Sequence, residues 1–170
     1  MEALACYLRK EEKIIPQNVR FFIEENLKKL DYSDAIDRSK LCYQGSYYNL
    51  QTIYNRLNKE YFNNQLNLLI SWFGKSNQRG RSRLTFGLYH DPLKLIKIHR
   101  MLDNPTIPEY LIEYVVFHEM LHNVCPSYRD ERGFHRIHSK EFKKKEKEYR
   151  YFQLATTWIK EHKSDLFNTF

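Results

Sequence analysis

Residues 106–123, TIPEYLIEYVVFHEMLHN, decide how this chain is read. They predict one helix from Thr106 to Asn123. Thr106 and Glu109 have the Thr-x-x-Glu spacing of a capping box, and Pro108 suits a first turn. Pro126 prevents continuation at the other end. Inside this helix His118, Glu119 and His122 spell His-Glu-x-x-His. Side chains four apart stand one above the other on a helix, so the two imidazoles can serve as neighbouring corners of a tetrahedral metal site. Glu119 projects about 100° further round the helix. It is too far round to be the natural third ligand, yet close enough to reach a water held by the metal, the position of a general base. Tyr114, Val115, Phe117, Met120 and Leu121 make the surroundings apolar. Two histidines and a glutamate buried there with no metal would be costly.

A catalytic zinc needs a third protein ligand and an open fourth position. The candidates downstream are His135, His138, Glu131, Glu141 and Glu146. His138 is preferred because it opens the last predicted helix, where Phe142 one turn on can pack that helix against the motif helix. His135 is second, and reads more simply as a surface loop residue. Tyr128, Arg132 and His135 are candidate donors to a developing oxyanion.

Working outward, residues 47–61 read as a helix, with Tyr47, Leu50, Tyr54, Leu57 and Tyr61 on one face and Asn63-Asn64 closing it. Leu66, Leu68, Ile70 and Trp72 alternate as a strand does, which makes Trp72 a core residue. Leu84, Phe86 and Leu88 alternate again, and residues 94–99 supply a third, shorter strand after a turn at His90-Asp91-Pro92. Three strands on short connections suggest an antiparallel or mixed sheet packed against helices, an α+β fold. After the motif comes a loop of about a dozen residues. A last helix is expected from Ser139 to Lys163. A further helix is expected over residues 17–30. Residues 1–45 are taken as an N-terminal helical extension, 46–163 as the main domain and 164–170 as a tail.

The chain has 170 residues, enough for one well-packed domain. Cys6, Cys42 and Cys125 are scattered, so neither a disulfide framework nor a zinc ribbon is expected. No signal-peptide pattern opens the chain and no apolar run has membrane-spanning length. The expectation is a monomer in a reducing compartment, cytoplasmic or associated with a nucleoid or nucleus. The net charge of +7 makes nucleic acid a candidate partner. Lys75, Arg79, Arg81 and Arg83 fall in one short loop with no acidic residue between them, a candidate phosphate contact whose bland counterpart is a solvated hairpin tip. Lys143, Lys144, Lys145 and Lys147 read as a solvated face, diluted by Glu141, Glu146 and Glu148.

The stretch from Leu57 to Phe142 resembles the SprT-like zinc peptidases. The residues that carry the likeness are Asn58-x-x-Tyr61-Phe62-Asn63-Asn64-Gln65-Leu66, Trp72 in the next strand, Gly87 in the second strand and Ile96-x-Ile98-His99. They continue with His118-Glu119-Met120-Leu121-His122 and His138-Ser139-x-x-Phe142. The resemblance implies a zincin-like fold, one Zn2+ per chain held by His118, His122 and His138, and Glu119 as general base. It also implies a protein or peptide substrate, with DNA-associated or DNA-crosslinked proteins as one class. Cysteines for the zinc ribbon that many bacterial members carry are absent here. Two other functions use the same residues: a small-molecule metal hydrolase, and a nucleic-acid-binding module with a structural zinc that recruits Cys125 as a fourth ligand.

Overall fold

A computed structural model describes residues 31–75 and 85–168, together with Val19, Phe22, Ile23 and Asn26; for 163–168 it describes the backbone alone. The expected helix over residues 17–30 therefore falls almost wholly outside the described residues, as do Arg79, Arg81 and Arg83.

The described chain is α+β, with four α-helices and a small mixed sheet. Helix α1 (Leu50–Phe62) is followed by strands β1 (Leu69–Phe73), β2 (Gly87–His90) and β3 (Leu95–His99), then helix α2 (Glu109–Val124). A two-stranded hairpin, β4 (Tyr128–Arg129) with β5 (His135–Arg136), leads to α3 (Lys140–Glu146) and α4 (Phe152–Asn168). Strand β3 is central: it runs parallel to β1, with Leu69 opposite Leu95, and antiparallel to β2, with Gly87 opposite Ile98. Strand β2 is thus an edge strand, and it lies beside α2.

Helix α1 begins at Leu50, because the Asn49 side chain accepts the Thr52 N–H; it ends where Asn63 turns left-handed at φ 51°. Tyr47 stands outside it, its N–H bonded to the Asp103 carboxylate. The alternation expected from Leu66 is present as burial of Leu68, Ile70 and Trp72, but hydrogen-bonded strand starts only at Leu69. Before that point the partners are side chains of α1. Asn58 accepts the Leu66 N–H and donates to the Leu66 carbonyl, while the Tyr54 hydroxyl donates to the Leu66 carbonyl and accepts the Leu68 N–H. The outer edge of β1 is also engaged: Trp72 N–H donates to the Cys42 carbonyl and Cys42 N–H to Ser71 Oγ.

Helix α2 crosses the middle of the molecule. Ten of its residues are buried, from Leu111 to Leu121, and it packs on α1, β2, β3, α3 and α4. A helix buried all round has no single apolar stripe, which suits its central place. The expected capping box does not form. The residue flanking the helix is Pro108, with no side-chain cap, and the Thr106 hydroxyl and N–H both bond Asn104 Oδ1. Thr106 therefore closes a local turn of its own rather than the helix.

The expected single last helix is two. Tyr149 is the cause. Its ring is buried against Phe117, and its hydroxyl reaches both the Tyr110 carbonyl and Glu113 Oε2 on α2. To bring it there the chain tightens: Glu148, Tyr149 and Phe152 N–H groups each bond a carbonyl three residues back. Helix α4 then runs on to Asn168, through most of the expected 164–170 tail. Among the described residues no helix is long and apolar enough to cross a membrane.

Candidate metal centre

Helix α2 carries His118 and His122 on one face at the expected spacing. The third imidazole arrives from the far side of the hairpin. Ser139 caps α3, its side chain accepting the Phe142 N–H at 3.0 Å, and His138 stands just before that cap. The one-turn offset carries Phe142, fully buried, into the angle between the two helices. Its ring lies 5.0, 4.8 and 4.5 Å from those of His118, His122 and His138. A single phenyl ring thus backs all three imidazoles. Each offers one ligand nitrogen, and these nitrogens all lie within 4.8 Å of one another. Nitrogens round a tetrahedral zinc stand roughly 3.3 Å apart for bonds of about 2.0–2.1 Å, inside that limit.

The chemistry of this donor set fits a divalent ion such as zinc. Burial, reinforced by the other two imidazoles, pushes His122 down to about 4. Burial, with His118 beside it, also lowers His138. Both groups therefore favour the neutral form in which an imidazole binds metal. On the outer side, Glu146 Oε1 lies 2.7 Å from His118 Nδ1 and accepts the Tyr114 hydroxyl at 2.9 Å. Burial works to raise the Glu146 carboxyl, but hydrogen bonds from His118 and Tyr114 outweigh it and hold it below the usual carboxylate range. A carboxylate on one ring nitrogen leaves the other ring nitrogen for the metal and fixes the ring's orientation.

Glu119 lies against β2. It is 6% exposed, and its carboxylate accepts the backbone N–H of Tyr89. Burial pushes it up to about 7, against the opposing pull of His118 and that N–H. Gly87 makes the approach possible: a β-carbon there would lie 2.6 Å from Glu119 Oε1. Tyr89 is held in turn, its hydroxyl accepting from Asn123 at 2.7 Å and donating to Asp91 at 3.1 Å.

The surface opens over Glu119 as a cleft with two lobes. One, of about 490 Å³, is walled by Thr85, Phe86 and Val115. The other, of about 390 Å³, is walled by Pro126, Ser127, His135 and Ile137. Gly87, Leu88, His118 and Glu119 line both.

The structure thus brings His118, Glu119, His122 and His138 together. Among the described residues, the group able to hold a metal is the three histidines; Cys125, Glu131 and Glu141 are not in it. Glu146, one of the candidate third ligands, instead backs His118. His135 is exposed, as a surface residue would be, yet it lines the cleft; Tyr128 and Arg132 are exposed on the hairpin. Lys75 is exposed after β1. The parts of Gly87 as a space-maker and of Tyr89 as a support for Glu119 went unread. Glu146 follows Phe142 by one helical turn, and that spacing was the one signal available for it.

Comparisons with protein-family models, with curated proteins and with solved structures returned no match to this chain.

Proposed function

We propose that this chain is a zincin-like zinc metallopeptidase of SprT type, with zinc held by His118, His122 and His138 and Glu119 as general base. The observation that carries the reading is the convergence of three imidazoles beside a buried carboxylate on the floor of an open cleft. Bound zinc supplies the Lewis acidity that polarises a carbonyl and makes water nucleophilic near neutral pH. Glu119 takes one proton from the attacking water as the new C–O bond forms, and returns it to the nitrogen as the C–N bond breaks. Tyr89 holds that carboxylate through its N–H, and Glu146 steadies His118.

A polypeptide substrate is favoured over a small molecule because the cleft extends to both sides of Glu119. Strand β2 provides a backbone for it. His99 N–H donates to the Phe86 carbonyl, so in this antiparallel pair Gly87 turns its amide groups away from β3, toward the open edge, while the Tyr89 N–H is engaged by Glu119. An extended chain can pair there with little dependence on its sequence. The net charge of +7 and the basic stretch of sequence at 75–83 make DNA-associated proteins the class to test first. The nucleic-acid module with a closed four-ligand zinc draws no support from Cys125, which lies outside the histidine set.

The test compares wild type with Glu119→Gln on an unfolded protein substrate, with and without DNA, beside zinc analysis of both. The expected result is one zinc per chain in each and a loss of about 10²–10⁴-fold in hydrolysis for the variant. An active Glu119→Gln protein, or a wild type that takes up no zinc, ends this reading.

A further inference from the structure

The cleft has one feature that the reaction does not require. The lobe beside His138 carries exposed aliphatic carbon at its walls. Ile137 is 51% exposed although it sits next to a metal-ligand candidate, and Leu88 is 48% exposed on the edge strand across from it. Pro126, also exposed, lines the same lobe. Strand alternation helps to explain Ile137: on the chain leaving β5, His135 and Ile137 line the cleft, whereas Phe134 and Arg136 do not. Apolar side chains gathered at the mouth of a cleft and left open to water mark a place that something apolar covers.

We propose that this lobe is a specificity subsite that seats one large aliphatic or aromatic side chain of an extended substrate, next to the bond that is cut. The proposal rests on the peptidase reading for its substrate. Ile137 and Leu88 are the specificity-determining residues, with Pro126 in the same lining. The lobe is lined by His118, Glu119, His122 and His138 as well as by Ile137 and Leu88, so an occupant against Ile137 is a residue adjacent to the scissile bond rather than a distant one.

The experiment uses the full chain loaded with zinc and pools of otherwise random octapeptides that carry Leu, Phe, Asp or Lys at one fixed position. Hydrolysis by wild type is mapped by mass spectrometry. Binding of the same pools to the Glu119→Gln protein is measured in parallel, so that the subsite has a readout without turnover. A pocket that accepts an apolar side chain discriminates by roughly 10–200-fold. The expected result is a preference of at least about tenfold for Leu or Phe over Asp at one position beside the cut. That preference collapses in Ile137→Ser and shifts toward Lys in Ile137→Asp. Each comparison is a ratio between peptides on one protein, so a general loss of metal or fold cancels. If wild type cuts nothing while Glu119→Gln still selects apolar peptides through Ile137, the subsite stands and the peptidase reading falls. Equal treatment of Leu and Asp by wild type in both assays, or a preference that survives both Ile137 variants, overturns the proposal.

Discussion

Gly87 and Glu119 meet across the contact between β2 and α2 with no room for a β-carbon: one placed on Gly87 would lie 2.6 Å from Oε1 and 2.7 Å from Cγ of the carboxylate side chain. The glutamate at the centre of the site is therefore positioned by a missing side chain. Gly87→Ala should displace Glu119 and leave the three imidazoles, which stand on other contacts, in place. The expected outcome is a fall in kcat of about 10²-fold, the scale of a misplacement of roughly 1 Å, at unchanged zinc content. On the proposed reading, a Gly87→Ala protein as active as wild type would mean that the carboxylate tolerates a different seat.

Glu146 faces His118 and does not line the cleft, so on the proposed reading its effect should appear in metal affinity. Glu146→Gln keeps the shape but removes the charge that His118 Nδ1 faces at 2.7 Å. Zinc affinity, measured by competition with a chelating dye, should weaken by about 10–100-fold. His138→Ala should lose stoichiometric binding altogether, and His135→Ala should retain it. An unaltered affinity in Glu146→Gln would assign that carboxylate to packing alone.

The break between α3 and α4 is a third point of leverage. Tyr149 places its hydroxyl on the Tyr110 carbonyl and Glu113 Oε2 at 2.9 and 2.8 Å inside the core. Glu113 is also paired with Arg56, so it keeps one partner when the hydroxyl goes. Tyr149→Phe should cost about 1–3 kcal/mol, the scale for buried acceptors that lose a donor, seen as a lower urea midpoint at constant slope. No change in midpoint would show that the hydroxyl bonds contribute nothing net.

A pH effect on stability is expected from His99, away from the metal site. Burial alone pushes its imidazole below the usual value of 6.5. Its Nδ1 accepts the Met101 N–H, and a β-carbon on Gly74 would lie 2.5 Å from its Nε2, so the ring has little freedom. The unfolded chain binds the proton more readily than the folded one. Its contribution is therefore complete above pH 6.5 and is lost as the pH falls through that value toward the lower folded pKa. His99→Gln should be less stable at pH 8 and lose less between pH 7 and 5 than wild type. Parallel pH curves for the two proteins would remove His99 from this account.

The parts of the fold that local periodicity controls could be read from the chain. Helix α2 and its histidine spacing, the closure of α1 at Asn63, and the burial of Leu68, Ile70 and Trp72 all follow from repeats of 3.6 or 2 residues. His138 could be placed because a cap and Phe142 follow it. What escaped depends on partners far away in sequence. Thr106 had a rival partner in Asn104, and Tyr149 had a destination on α2 that overrode the helical pattern round it. The hairpin at 128–136 could not be told from a loop because each strand has only two residues. Strand order was equally hidden: nothing local says that β3 sits between β1 and β2.

The two margins of the sheet are treated unequally, and that has a consequence for aggregation. Along β1 the backbone is already spoken for, by the Cys42 carbonyl at Trp72 and by Asn58 and Tyr54 just before the strand. A stray strand from a misfolded neighbour, or from another copy of this chain, meets an interrupted ladder on that side. Among the described residues the open margin is the short strand β2, beside which lies a carboxylate in a cleft. By this arrangement the chain limits fibre-like growth on one side of the sheet and leaves its open edge beside the cleft over Glu119.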